Sequence, residues 1–494
     1  MSKEKQTRTI YRYEEEKMGG LMRFFYCLLA AAFMFGTAGP LALAAGPIYK
    51  LSIEDLKKQK ALFDDPRPYR NVLSMKKVMP PEVYAKLSAN PEEMKKVWSQ
   101  VVGFKAPDVV GKIALEVKPG KYTYKDKDRL PFKELMIPNH YQRFAPQVPP
   151  HAGNFSEITV VPTRQQYYHT RIGEATKLSN ARLDSQGYLV PDSYKGGFPF
   201  PKPSGPHKAQ QIVYNWVKRY LQGDSQHGLQ VTAGFNKNLV ADFEGLYDFY
   251  SVKLHARVYQ EPYGWLDERA EKNGEQRCYY FGMLAPRDIY GNVVSIMNYL
   301  DPNKFDLFFL YVNSLRRLRR LSATDAQDAA VGQDVIYEDF EGFNQQLTPK
   351  RYPYKYKVIA EREYIIPFVP PDGSSYYTNK GEIKNVNFER RPVYVIELQQ
   401  QDPNFIYSRR IMYIDMETFM MHLIENYDKK GRLYRTCENI SYFYEDLGVM
   451  GSEIHTQRDY LDLHSIASRT FIYPAAWAGR EQISLRGLAR GTVK

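Results

Sequence analysis

Residues Asn387–Asp446 read NFERRPVYVIELQQQDPNFIYSRRIMYIDMETFMMHLIENYDKKGRLYRTCENISYFYED. Four runs rich in Tyr, Val, Ile, Phe and Met lie at Val393–Leu398, Tyr407–Ile414, Phe419–Tyr427 and Leu433–Tyr444. Between them stand Asp402-Pro403, Asp415–Thr418 and Asp428–Gly431. Strand formers bounded by Asp, Asn, Pro and Gly at short spacing predict an antiparallel meander. Long runs with short loops predict a large, curved sheet. Its apolar face must either pack on helices or enclose something, and that choice decides the function.

Toward the N-terminus the same pattern continues. Strands are expected at Asn154–Thr170, Tyr247–Tyr259, Val293–Leu300, Phe305–Tyr311 and Tyr352–Pro367, and one more at Glu453–Ile466. Between Gly196-Gly197 and Lys202-Pro203 the chain reads as a rigid, Pro-fixed loop. The helix expected next, His207–Gln222, has Ile212, Val213, Trp216, Val217 and Tyr220 on one face, fit to plug the sheet's concave side or to pack as ordinary core. Residues 45–150 read as a helical and Pro-rich region. Helices are expected at Ser52–Phe63, Pro81–Leu87 and Pro91–Val102, with Met94, Val97, Trp98 and Val101 facing the core. A strand is expected within Val109–Val117 and an extended strap over Pro131–Pro150. Residues 151–475 form the sheet domain and 476–494 a tail.

Met22-Arg23, the apolar FFYCLLAAAFMFG and the small-residue TAGPLALAAG make a secretory signal peptide, cut after Ala44. The apolar core is short for a membrane span and is broken by Gly36, Gly39 and Pro40. Residues 1–21 are foreign to such a signal, so translation is expected to start at Met22. No Cys follows near the cut, so no lipid anchor is expected. The mature chain is therefore placed in the periplasm.

The formal net charge is +12, and removal of six basic and four acidic residues with the leader leaves +10. That excess suits an anionic membrane surface or an acidic ligand, or simply solubility. No basic stretch has nucleic-acid motif context. Cys278 and Cys437 remain after Cys27 leaves with the signal, as a disulfide or as two buried thiols. G-x-S-x-G, H-E-x-x-H, P-loop and dinucleotide fingerprints are missing, and the nine His show no ligand spacing, so no cofactor or metal is expected. Asp339 and Glu341 lie close in sequence, but no His or Ser constellation accompanies them. In Leu315–Leu321 (LRRLRRL), Arg317 and Arg319 share one strand face, and either block a sheet edge or meet a ligand headgroup.

Four segments together resemble the bacterial secreted proteins of the domain of unknown function 1329 family, over roughly Gly197–Glu445. They are FPFPKP at Phe198–Pro203, LRRLRRL, YEDFEGFN at Tyr337–Asn344, and RRIMYIDMETFMMHLIENYDKKGRLYR at Arg409–Arg435. The resemblance implies a fold similar to the lipoprotein carriers LolA and LolB: an incomplete antiparallel β-barrel, mostly β with helices (α+β), closed by those helices over an apolar cavity. It carries no catalytic residues.

The expectation is a periplasmic protein that binds a lipid or other hydrophobic ligand, as a carrier or as an accessory to an envelope transporter or outer-membrane protein. Trp216, Met416, Phe419, Met420 and Met421 are the candidate lining, adaptable side chains that serve equally as core. Arg317 and Arg319 are the candidate headgroup contacts. A ligand-free envelope scaffold, and an enzyme acting on an envelope lipid or polysaccharide, are the alternatives.

Overall fold

The computed structural model describes residues 81–150, 153–221, 223–321, 336–474 and 480–484. The signal segment and the expected Ser52–Phe63 helix lie outside these. Among the described residues no helix is long and apolar enough to cross a membrane.

The strands are β1 Gly120–Thr123, β2 Glu157–Val161, β3 Ser225–Phe235, β4 Ala241–Lys253, β5 Glu275–Ala285, β6 Val293–Tyr299, β7 Leu307–Val312 and β8 Arg317–Leu321. They continue as β9 Tyr354–Phe368, β10 Tyr376–Tyr377, β11 Ile383–Lys384, β12 Asn387–Gln400, β13 Arg409–Asp415, β14 Met421–Tyr427, β15 Leu433–Tyr444, β16 Val449–Asp459 and β17 Ser465–Pro474. All but the β10–β11 hairpin join one curved sheet, in the order β1-β2-β12-β13-β14-β15-β16-β17-β3-β4-β5-β6-β7-β8. Two meanders, β12–β17 and β3–β8, are thus zipped along β17 and β3, from Ser465 opposite Phe235 to Pro474 opposite Gln226. β9 pairs with β12 over the whole length of β12 and meets β15 at its tip, where Val369 N donates to Ser441 O at 2.9 Å. β1 and β8 remain as edges, so the sheet is not closed as a barrel.

The predicted meander is present, and its turns follow the expected chemistry. Asp415 Oδ1 accepts from the backbone N–H of Glu417 and of Thr418, both at 2.8 Å. Asp428 Oδ1 accepts from the N–H of Lys430 and Arg432, both at 2.9 Å, and Gly431 takes φ 77. The first strand begins six residues earlier than its apolar run, because β9 pairs across Asn387–Pro392 as well.

Helices α1 Pro81–Leu87 and α2 Pro91–Val102 match the sequence reading. Asn90 caps α2 by accepting from Glu92 N at 2.9 Å, and Met94, Trp98 and Val101 are buried. Of the expected strand Asn154–Thr170 only Glu157–Val161 is strand, and helix α3, Thr170–Lys177, begins at its last residue. Helix α4, Lys208–Val217, is shorter than predicted. The Pro131–Pro150 strap is instead two helical turns, Phe132–Leu135 and Pro138–Arg143, because Pro138 occupies a first helical position that needs no N–H. Val109–Val117 forms no strand, since Gly111 (φ 78) and Ala114 (φ 48) are left-handed there. Glu453–Ile466 splits into β16 and β17, with Asp459 Oδ1 holding the intervening turn through Leu461 N and Asp462 N.

The largest core lies between α2, α3, α4 and the wall built from β9 and β12–β15. Phe198 of the FPFPKP loop sits at its centre, with ring contacts to Trp98, Tyr168, Tyr220 and Phe419 at 5.6, 4.8, 5.6 and 5.3 Å. Gly197 (φ 71) permits this approach, because a Cβ there would lie 2.5 Å from Thr176 N. The meander wall therefore faces its own helices.

Candidate functional site

The other meander carries the open concave surface. Strand register places Tyr247 and Phe249 of β4 on one face with Tyr279, Phe281 and Met283 of β5 and Val294 of β6; Phe249 stands opposite Phe281, and Phe281 opposite Val294. Their neighbours Tyr250, Val252, Cys278 and Tyr280 point the other way, into a separate core against Ile483. The concave face continues across the β17–β3 seam and changes character. There β3 offers Gln226, Gln230 and Thr232, β17 offers Ser468 and Thr470, and β15–β16 offer Asn439, His455 and Gln457. Together the two halves line a half-open groove of about 150 Å³.

The polar half is a hydrogen-bonded ladder. Thr232 Oγ1 and Ser468 Oγ lie 2.9 Å apart, and Gln230 Nε2 donates to Thr232 Oγ1 at 3.2 Å. His455 sits between Asn439 Oδ1 and Gln457 Nε2, each 3.0 Å away, and burial lowers its pKa to about 4. The imidazole is therefore neutral at physiological pH.

Over the groove lies Tyr337–Gly342, the heart of YEDFEGFN, two 3₁₀ turns separated by a kink at Phe340 and Glu341. Phe340 stacks on Phe281 at 5.2 Å, and Tyr337 meets Phe308 edge-on at 4.8 Å. Asn439 Nδ2 donates to Glu341 O at 3.0 Å. Its three acids take three separate partner sets. Glu338 accepts from Tyr352 Oη and Gln345 Nε2, both at 2.6 Å. Asp339 accepts from Tyr407 Oη and lies 3.2 Å from Arg410 Nη2. Glu341, in the left-handed region at φ 52, pairs with Arg219 and accepts from Tyr279 Oη at 3.4 Å. Asp339 and Glu341 therefore do not act as a carboxylate couple. Burial raises the Tyr279 phenol, but Arg277 and Arg219 beside it outweigh this and hold it below its ordinary value.

None of the seven residues expected to contact a ligand lines this groove. Trp216, Phe419, Met420 and Met421 are fully buried in the large core, and Met416 packs against it. Trp216 Nε1 donates to Phe343 O at 3.1 Å, so this helix anchors the covering segment rather than plugging the groove. The Met416–Met421 stretch belongs to a turn that a buried ion cluster holds. Arg391 Nε donates to Asp415 Oδ2 at 2.7 Å, and its Nη2 to Glu417 Oε2 at 2.8 Å. Arg317 and Arg319 do lie on the concave face, opposite Val312 and Leu310, but on the exposed edge strand two strands beyond β6. Cys278 and Cys437 are free, buried thiols in different cores, which rules out the disulfide. Among the described residues no group of three His, Cys, Asp or Glu could hold a metal ion.

Apart from Glu341, the residues that build the groove were not singled out from the sequence. Their signal is the two-sided aromatic alternation of Tyr247–Val252 and Cys278–Met283, which demands an apolar partner on each face of the sheet.

An uncharacterized protein of Pseudomonas aeruginosa is 24% identical over 282 residues, covering 53% of this chain and 57% of that protein. The chain thus spans a little over half the length of that relative. Among solved structures, a DUF1329 family protein from Desulfovibrio piger is 14% identical with a TM-score of 0.40, covering 56% of this chain and 95% of that one. An outer membrane lipoprotein-sorting protein domain from Vibrio parahaemolyticus is 16% identical with a TM-score of 0.41, covering 58% and 100%. A LolA superfamily protein from Nitrosomonas europaea is 14% identical with a TM-score of 0.34, covering 56% and 98%. Residues 152–475 match a family described as "Protein of unknown function (DUF1329)". That span covers the whole of both meanders, the groove and its covering segment, and the chain belongs to the DUF1329 family.

Proposed function

We propose that this protein binds a lipid or another amphiphilic molecule in the groove and carries it within the periplasm, as an accessory to envelope transport. One observation carries the reading: a single concave face that is aromatic along β4–β6 and a ladder of amides and hydroxyls along β15–β17 and β3. Such a surface matches a molecule with an apolar part and a polar part, and the reading assigns it no chemical step. Size sets the mode of binding. About 150 Å³ is below the roughly 300–1,000 Å³ of pockets that enclose a whole small molecule. The groove therefore grips one stretch of a chain and leaves the rest at its open mouth. Each methylene moved out of water contributes about 0.8 kcal/mol. Arg317 and Arg319, with exposed Leu315 and Leu318, would rest the edge strand on an anionic membrane surface during transfer.

A ligand-free scaffold is the second reading. It is favoured by the β12–β15 wall, which is filled by the protein's own side chains. Lipid extraction and mass spectrometry of natively purified protein separates the two. The carrier reading expects a co-purifying amphiphile, depleted when Phe281 is replaced by Asp. Protein free of lipid that also excludes an added apolar probe would leave the scaffold.

A further inference from the structure

The aromatic half of the groove turns basic at one end. Beyond Phe249 and Ser251 on the same face of β4 comes Lys253, and beyond Phe281 and Tyr279 on β5 comes Arg277, directly across from it. Lys218 and Arg219, where the chain leaves α4, pack onto this pair. All four are buried, at 6%, 2%, 5% and 8% exposure for Lys218, Arg219, Lys253 and Arg277.

Part of their work is structural. Lys253 Nζ donates to Lys218 O at 3.1 Å, Arg277 Nη2 to Arg219 O at 3.1 Å, and Arg219 Nη1 to Trp216 O at 3.1 Å. These bonds finish the C-terminus of α4. Neutral donors would do the same, so the task does not explain four buried basic side chains. Two acids act on the cluster. Asp224 commits Oδ2 to the backbone N–H groups of Val258, Tyr259 and Gln260, at 3.0, 2.7 and 2.8 Å. Glu341 forms the one ion pair that the four make among the described residues. Cations are costly to bury without a counter-ion, and burial together with Arg277 drives Lys253 well below its ordinary value, so the cluster gives up protons for want of a further anion. Arg219 Nε is buried without a hydrogen-bond partner among the described residues. Burial, and then Arg277, bring Lys218 down to about 7, the signature of a site short of negative charge.

The cluster opens on the groove through Tyr279, whose hydroxyl accepts from Arg277 Nη1 at 3.0 Å and Arg219 Nη2 at 3.4 Å. Glu341 reaches it from the covering segment, which also lays Phe340 on Phe281. Phe340 and Glu341 thus present an apolar group and a carboxylate, side by side, to the two parts of the site.

We propose that Lys218, Arg219, Lys253 and Arg277 seat the anionic head, a phosphate or carboxylate, of a chain-bearing ligand, and that Phe340–Glu341 is its internal stand-in. The ligand's head exchanges with the Glu341 carboxylate, and its chain takes the place of the Phe340 ring. This deepens the carrier reading and rests on it.

Titration calorimetry of the purified full-length protein with octyl phosphate, octanoate, octanol and inorganic phosphate tests it. Charged hydrogen bonds predict octyl phosphate and octanoate at least tenfold tighter than octanol, and octyl phosphate tighter than inorganic phosphate. Glu341→Gln should raise octyl phosphate affinity about tenfold and leave octanol unchanged. Lys253→Gln keeps a donor for Lys218 O and should lower octyl phosphate affinity about tenfold. Opposite movements in two variants exclude a general loss of folding. Equal affinity for octanol and octyl phosphate, unmoved by either variant, would overturn the anion seat and leave the groove reading standing. Binding of no alkyl probe would overturn the groove reading itself. Inorganic phosphate as tight as octyl phosphate would overturn the chain-bearing class in favour of a free anion.

Discussion

Replacing Arg391 with Met should cost the fold about 4 kcal/mol at pH 7. Arg391 is wholly buried and spends its guanidinium on three neighbours. Nε and Nη2 take Asp415 at 2.7 and 3.1 Å, Nη2 also takes Glu417 at 2.8 Å, and Nη1 donates to Arg164 O at 2.8 Å. Methionine fills much of the volume but leaves two buried carboxylates without their cation, a loss of about 3–5 kcal/mol. Backbone donors soften it, since Asp415 keeps Glu417 N and Thr418 N, and Glu417 keeps Ala106 N and Gln166 N, all within 2.9 Å. At about 2 °C per kcal/mol for a chain this large, the melting temperature should fall about 8 °C. The sign with pH follows. In the native protein burial pushes Asp415 up, but Arg391 outweighs it and holds the carboxyl low. Without Arg391 Asp415 rises above its unfolded value and Glu417, already raised by burial, rises further, so the folded variant takes up protons first and its deficit shrinks as pH falls. Thermal denaturation at pH 7 and pH 5 checks both points. Adding Asp415→Asn and Glu417→Gln should recover at least half of the loss. A single variant within about 1 kcal/mol of native at pH 7, or an equal deficit at both pH values, would refute this account of the turn.

Other outcomes follow from the same contacts. Burial holds His169 at about 4 and His255 at about 3, against about 6.5 unfolded. The unfolded chain is protonated first, so stability should fall from about pH 6.5 down to about 4 for His169 and about 3 for His255, by about 2 kcal/mol per histidine at pH 5; urea denaturation at pH 7 and 5 measures it. Cys278 is pushed up to about 12 by burial, and burial raises Cys437 well above its ordinary value too. Neither thiol should react with iodoacetamide in the native protein, and both should in urea, with mass spectrometry counting the adducts. Phe340→Ala should cost about 1–2 kcal/mol, because the ring is only half-buried, and should shift the preferred alkyl alcohol to a longer chain in a calorimetric series.

The meander was legible because its turns advertise themselves: Asp415 and Asp428 each organise two backbone N–H groups through one side-chain oxygen. Helices α1 and α2 were legible from Pro and acidic residues at their first turns. The groove was not. Strands β4 and β5 are aromatic on both faces, so alternation alone cannot say that Phe249 faces an opening while Tyr250 faces a core. Met416–Met421 looked adaptable, yet Arg391, Asp415 and Glu417 fix the turn from which these side chains enter the core. Asp339 and Glu341 lie close in sequence, but their partners Arg410 and Arg219 come from different elements. Such pairings depend on which strands become neighbours, and residue type carries no record of that.

The central claim is that the aromatic half of the concave face holds an apolar chain. Fluorescence titration with an apolar probe, in the native protein and in Ser468→Phe and Val294→Trp, tests it most directly, with thermal melting to confirm that both variants fold. The two substitutions enter the groove from its polar and apolar walls in turn. Saturable binding by the native protein, weakened at least tenfold in both folded variants, is the predicted result. Probe binding that both variants leave unchanged would contradict it.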